Sequence, residues 1–342
     1  MDTVEELVER WPRLGSCRPA AEWLATEVQV GLAARTIDAY GRSIIDFLAV
    51  CERRKVDPLL VTRAGVAAYV GDLRSRPVPR SPKRRDDGVG LSNATIQLRL
   101  VAVRLFFDHL VAEGARATNP VGRGTTGMRG TRGLVPREVR QPWVPSDAQW
   151  RHLLDVAREE SVRNRTMLGF GYDTGLRREE LCQLETTDVD PAHRTVRVRA
   201  ETTKNSRART VVYSASAGAL LSDYLEHRRS VSRTRGRLWL SESRRNYGQP
   251  LSLWTWSKVI RALGDRAGLP EFSTHTLRHL CLTDLARSGW ELHQIATFAG
   301  HRNPATTMQY IHLSGVDLAA RLASSASSVH GWRTAMTAKA LR

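Results

Sequence analysis

Apolar residues recur at helical spacing over most of this chain. From Thr36 onward, Ile37, Tyr40, Ile44, Phe47 and Leu48 share one stripe of a helix. Thr62 stands in N-cap position ahead of Val66, Tyr69, Val70 and Leu73. Ser92 does the same ahead of Ile96, Leu100, Val103, Phe107 and Leu110. Three such helices predict a small bundle within residues 1–115. The pattern then lapses over 116–142, where Pro120, Pro136 and Pro142 are interspersed with glycines and arginines and no apolar period survives. This stretch is expected to be a basic linker.

Periodicity resumes after Pro145. Ser146 is the predicted cap of a helix bearing Trp150, Leu153, Leu154 and Ala157, and another helical run reaches Asp173-Thr174-Gly175. The period then changes from 3.6 to two. Val196 and Val198, followed by Val211 and Tyr213, bracket the polar run Lys204-Asn205-Ser206-Arg207, which predicts a β-hairpin. Leu238-Trp239-Leu240 is expected to form a third short strand. Helical spacing returns over 253–263, 277–286, 291–298 and 305–311. The expected fold class is mainly α with a small antiparallel β-sheet (α+β), the sheet lying in a second domain spanning 143–342. Val316, Leu318, Ala319, Leu322 and Ala323 predict a short amphipathic helix near its end.

Composition narrows the function. With 342 residues, the length suits two domains, and 41% hydrophobic residues suffice for packed cores. No apolar run approaches the roughly 20 residues of a membrane span. Glu5, Glu6, Glu9 and Glu22 interrupt the first thirty residues, so neither a secretory leader nor a membrane partner is expected. Cys17, Cys51, Cys182 and Cys281 form no CxxC pair and suit a reduced, cytoplasmic chain.

The formal net charge is +17, and only five of the 52 cationic side chains are lysines. Arginine's planar fork grips phosphate at two points, so the excess predicts a polyanionic partner, double-stranded DNA above all. Arg74, Arg76, Arg80, Lys83, Arg84 and Arg85 form a run without an acid until Asp86. Arg123, Arg129 and Arg132 lie in the linker, and Arg207 and Arg209 follow the hairpin tip. These eleven positions are the candidate DNA contacts, although a charge run also suits a plain solvated loop. Gly122, Gly124 and Gly127 spell GxGxxG, but no strand precedes them and no helix follows, so no dinucleotide cofactor is expected.

Four patterns carry candidate chemistry. In Thr174-Gly175-Leu176-Arg177-Arg178-Glu179-Glu180, Gly175 can end one helix at positive φ and Arg177 can open the next, with Glu180 three residues on. Lys204 sits at the hairpin tip. In His275-Thr276-Leu277-Arg278-His279, His275 and Arg278 share a helix face. Gly300-His301 is followed nine residues later by Tyr310. His275 and His279 are spaced as in HExxH, but position 276 is Thr and no carboxylate or cysteine pair completes a metal site, so none is expected. Taken singly, each residue has an ordinary structural reading: a packed aromatic, a surface ion pair, a satisfied core histidine.

As an ordered set, they resemble the tyrosine recombinases, the phage integrase family that includes the Xer and Cre enzymes. The resemblance is strong over residues 143–315 and weaker over the N-terminal helices. It implies a two-domain, C-shaped DNA clamp with a core-binding domain and a catalytic domain. It implies that Tyr310 attacks a DNA phosphate, that Arg177 and Arg278 clamp the non-bridging oxygens, and that His275 and His301 handle protons. Lys204 would protonate the leaving 5′ oxygen, and Glu180 would support Arg177. DNA would be cut and rejoined through a 3′-phosphotyrosyl intermediate, without metal, ATP or other cofactor. The implied role is integration, excision or transposition of a mobile element by a tetramer on paired sites, in the cytoplasm at the nucleoid, with an accessory recombinase or directionality factor. The alternatives are an Xer-like chromosome or plasmid dimer resolvase, and a non-catalytic DNA-binding protein on the same scaffold. Thr203 and Asn205 stand where the family often has glycine beside its lysine, and Ala299 where leucine is common before the Gly-His pair.

Overall fold

The computed structural model describes residues 3–77, 89–122, 135, 142–203 and 207–310, with a few positions beyond 331. The chain divides into two compact units, Met1–Arg140 and Gln141–Arg342.

The first unit is all helical: α1 (Val4–Arg10), α2 (Arg18–Gln29), α3 (Ala34–Arg53), α4 (Arg63–Ser75) and α5 (Asn93–Ala112). The apolar stripe starting at Ile37 is the inward face of α3, where Ile37, Ile44, Phe47 and Leu48 are buried. Thr62 and Ser92 cap α4 and α5 as expected, each accepting a backbone N–H three residues on. Trp23, Phe47, Phe106 and Phe107 form the aromatic centre of this core. Residues 116–121, expected to be linker, are packed into the first unit. Arg116 donates to the carbonyls of Leu59 and Val61, Asn119 donates to Arg104 and Asp108, and Val121 is buried in the same core. A Gly- and Pro-rich composition hides such side-chain anchoring, because periodicity does not report it.

The second unit carries α6 (Asp147–Ala157), α7 (Val162–Thr174), α8 (Arg178–Cys182), α9 (Ala215–Val231), α10 (Leu253–Arg266), α11 (Thr274–Arg287) and α12 (Leu292–Ala299). Helix α7 packs against both α9 and α11. The sheet is antiparallel in the order β1 (Val189–Asp190), β2 (Thr195–Val198), β3 (Arg209–Val212), with Val196 opposite Val211 and Val198 opposite Arg209. Val196, Val198, Val211 and Tyr213 all face the core, as the period of two predicts.

Two elements differ from expectation. The third strand is β1, whereas Leu238–Leu240 makes only isolated bridges on either side, Glu185 with Arg237 and Leu240 with Pro250. Those residues are buried because Trp239 fills the core beneath α7, not because they extend the sheet. Residues 305–310 form two short 3₁₀ turns, Pro304–Thr306 and Met308–Tyr310, instead of one α-helix. Asn303 caps the first turn and Pro304 opens it, while the buried Thr307 between them is held by a side chain of the site. The predicted helix over 316–323 lies outside the described residues.

Candidate active site

The site is assembled where α7, α8, β3, α11 and α12 end or begin close together. Gly175 stops α7 at φ 56°, and a β-carbon there would come within 3.2 Å of Cys281 Sγ. The turn it allows sets Arg177 at the N-cap of α8. Gly300 stops α12 in the same way at φ 64°, and a β-carbon would meet Arg209 Nη1 at 2.9 Å. The chain then delivers His301 beside Arg278 of α11.

Glu180 is the hub. Its carboxylate is 1% exposed and accepts from the Arg177 backbone N–H (2.9 Å), Arg177 Nη1 (2.9 Å), Arg209 Nη1 (3.1 Å) and Arg209 Nη2 (2.8 Å). Burial alone would raise its pKa. The hydrogen bonds and charge of Arg209, then those of Arg177, outweigh burial and hold it at about 2. Arg209 also donates to the Phe298 carbonyl at 3.0 Å, and its side chain is 10% exposed. It was expected among the DNA contacts, but its guanidinium is committed inward. The signal was in the strand period: Arg209 shares parity with Val211 and Tyr213, which face the core.

Arg278 is 4% exposed and donates to the carbonyls of Gly175 and Ala299, each at 2.6 Å. Burial, and then the like charge of Arg177, bring its pKa down to about 10. Its Nη2 lies 3.0 Å from His301 Nε2. A guanidinium only donates, so that nitrogen accepts and the His301 proton sits on Nδ1, 2.8 Å from the buried Thr307 hydroxyl. Burial and the charges of Arg278 and Arg177 press the His301 pKa down to about 4, so the ring is neutral. His275 is exposed on the first turn of α11, and its pKa is lowered by desolvation and by Arg178, Arg278 and Arg177.

Tyr310 is 5% exposed. Its ring stacks on His301 at 6.2 Å and 9°, and its hydroxyl lies 2.9 Å from Nδ1 of His279. Burial raises the phenol pKa, while Arg278, the Gln309 side chain and Arg177 pull against it. The structure thus brings Arg177, Arg278, His301, Tyr310 and Glu180 together, with His275 at the rim. His279 and Thr307 also belong to the site and were not anticipated. The i, i+4 spacing of His275 and His279 was visible, but Thr307 left no sequence signal.

Lys204 lies outside the described residues, as do Arg80, Lys83, Arg84, Arg85, Arg123, Arg129 and Arg132. Thr203 and Arg207 flank the lysine, and the Arg207 N–H donates to Thr203 Oγ1 at 3.0 Å. Arg207 and Arg74 are exposed. Arg76 is instead tied to Asp46 and Asp72, each at 2.5 Å, within the first unit. Asp72 stands one helical turn before it on α4, and Asp46 lies 30 residues back on α3, out of view of a local charge count. Among the described residues, no group of three His, Cys, Asp or Glu side chains converges as a metal site. No helix among them is long and apolar enough to cross a membrane.

Paired arginines, a histidine and a tyrosine thus converge in a helical fold around a small sheet. The chain belongs to the tyrosine recombinases, the phage integrase family, whose members cut and rejoin DNA, and the family profile matches residues 146–315. Tyrosine recombinase XerC of Mycobacterium leprae is 30% identical over 274 residues, which cover 72% of this chain and 87% of that protein. Tyrosine recombinase XerC of Roseiflexus sp. (strain RS-1) is 27% identical over 291 residues, covering 83% and 85%. The Tn1549 transposon integrase, solved with a circular intermediate DNA, has the same fold at a TM-score of 0.69 and 16% identity, over 90% of this chain and 98% of that one. XerH site-specific recombinase bound to its difH substrate gives a TM-score of 0.61 at 17% identity, covering 86% and 79%.

Proposed function

We propose that this chain recombines DNA at specific sites with Tyr310 as nucleophile and Arg177 and Arg278 as the phosphate clamp. The supporting observation is the surplus of positive charge at the phenol: both arginines act on Tyr310, and Glu180 is the carboxylate that braces the cluster. Tyr310 Oη forms a bond to the scissile phosphorus as the P–O5′ bond breaks, leaving a 3′-phosphotyrosine. The departing 5′ oxygen takes a proton from Lys204, and the phenol proton passes to a neutral histidine, His275, while His301 holds the Arg278 guanidinium in place. Charge building on the equatorial phosphate oxygens is met by the guanidiniums, which is where electrostatic catalysis of phosphoryl transfer acts. Attack by the 5′ hydroxyl of a second strand reverses the step and conserves the bond energy, so rejoining needs no ATP.

The first unit then serves as the core-binding half and the second as the catalytic half, with Arg74, Arg207 and the basic positions outside the described residues contacting DNA. Four protomers on two sites would complete the reaction, with an accessory recombinase or directionality factor as a further partner. The biological setting divides two ways. Integration, excision or transposition of a mobile element is the role implied by the family resemblance. Resolution of chromosome or plasmid dimers is favoured by the name XerC carried by relatives that align over most of their length. Loss of the gene should leave multimeric chromosomes or plasmids in the second case and a trapped element in the first.

The test of the chemistry is Tyr310→Phe, with nicked duplexes tiled across the DNA bordering the gene as substrate. Wild type should give a covalent protein–DNA band that survives denaturation, and the variant should bind the same duplexes but give no band. An equal band from the variant would remove Tyr310 as nucleophile.

A further inference from the structure

The polar groups around Tyr310 are almost all committed to one another. Both Nη atoms of Arg278 are spent on backbone carbonyls and on His301. Both ring nitrogens of His301 are used, one by Arg278 and one by Thr307. Arg177 is bound to Glu180 and Gly300. No hydrogen bond from a guanidinium reaches the Tyr310 hydroxyl among the described residues. The 2.9 Å contact at that oxygen comes instead from His279, one turn along α11 from His275.

His279 also packs against the phenol ring, with centroids 5.7 Å apart. Burial, and then the neighbouring charges of His275 and Arg278, bring its pKa to about 4. At neutral pH its Nδ1 is therefore free to accept the phenol O–H, with the ring proton on Nε2. The phenol it holds is buried in a small apolar cluster with Leu282, Ala286, Ile295 and Ala299. With so little of the residue exposed and its hydroxyl turned to His279, the phenol has to leave that contact before it can face a phosphodiester.

We propose that His279 is a positioning residue for Tyr310: its Nδ1 holds the phenol inside the DNA-free pocket, and attack on DNA requires that bond to be given up. The proposal rests on Tyr310 being the nucleophile. A net hydrogen bond of ordinary strength makes release about three- to tenfold easier once it is removed.

Two variants test this. His279→Phe keeps the ring and removes the acceptor. His279→Asn restores a polar atom near the place of Nδ1 and gives up the ring. Without DNA, tetranitromethane should nitrate Tyr310 about three- to tenfold faster in His279→Phe than in wild type, mapped by mass spectrometry, and His279→Asn should return towards wild type. On the nicked duplexes, the first covalent step should be faster in His279→Phe by a similar factor. A His279→Gln control places its amide where Nε2 stands and should behave like the Phe variant.

Unchanged nitration in His279→Phe would overturn the proposal, as would a slower covalent step, which would mark His279 as a proton acceptor instead. If Tyr310→Phe still forms adducts, the nucleophile reading fails, and the positioning role falls with it even if nitration responds. If adducts depend on Tyr310 but neither rate responds to His279, only the positioning role is lost.

Discussion

Tyr69 in the first unit and Tyr310 in the second are buried to a similar degree, 1% and 5% exposed, but in opposite electrostatic company. Tyr69 donates to Asp46 Oδ2 at 2.9 Å. Asp46 is also paired with Arg76 and Arg99, and Asp72 with Arg53 and Arg76. Acids and bases nearly balance there. Burial and the Asp46 carboxylate both push the Tyr69 pKa up, so that phenol keeps its proton. Near Tyr310, Glu180 stands among Arg177, Arg209 and Arg278, and only two of the three bond to it. The same burial penalty is therefore opposed by guanidinium charge, while His279 and His301 are held neutral first by their own burial and then by neighbouring positive charge. A balanced network staples helices together, whereas an unbalanced one leaves guanidinium charge that pulls against the burial of the phenol without overcoming it.

The comparison breaks most sharply at Arg278. Arg278→Lys keeps a cation but loses the fork that bridges the Gly175 and Ala299 carbonyls. Covalent adduct formation in single-turnover assays should fall on the order of 10³-fold. A fall of less than about tenfold would show that charge alone, without geometry, runs the pocket.

Glu180→Gln should come next, destabilising the second unit by about 3 kcal/mol, because Arg177 and Arg209 would be left buried against a neutral amide. The pH dependence has a definite sign. The folded pKa of about 2 lies below the ordinary 4.5, so the carboxylate's contribution is present in full above about 4.5. It fades as pH falls towards 2. In denaturant melts, the gap between wild type and Glu180→Gln should be widest near neutrality and should narrow as pH is lowered through that window.

Local rules made much of this legible beforehand. Thr62, Ser92 and Ser146 cap helices because their hydroxyls meet a backbone N–H three residues on, and that needs no tertiary information. Gly175 was readable for the same reason, since only the turn's backbone demands positive φ. What escaped depends on partners distant in sequence. Arg209 reads as a surface cation until Glu180, 29 residues away, is seen beneath it. Arg76 reads as part of a basic run until Asp46, 30 residues back, is found beside it. The helix expected over 305–311 yields to Pro304 and to the grip of His301 on Thr307, a tertiary bond that periodicity does not encode.

Tyr69→Phe gives the smallest effect and the cleanest contrast. It removes one hydrogen bond to a carboxylate that keeps both Arg76 and Arg99, and it leaves the ring packing of Phe47 against residue 69 in place. The first unit should lose about 1.5 kcal/mol, read as a lower denaturant midpoint with an unchanged slope. Adduct formation per folded molecule should not change, because that phenol faces a carboxylate and never needs to ionise. The matching change at residue 310 should do the reverse, costing little stability while ending the chemistry, since Tyr310 gives its hydroxyl to a neutral imidazole and not to an anion. If Tyr69→Phe slowed the covalent step as well, the charge balance around a phenol would no longer separate a staple from a nucleophile in this chain.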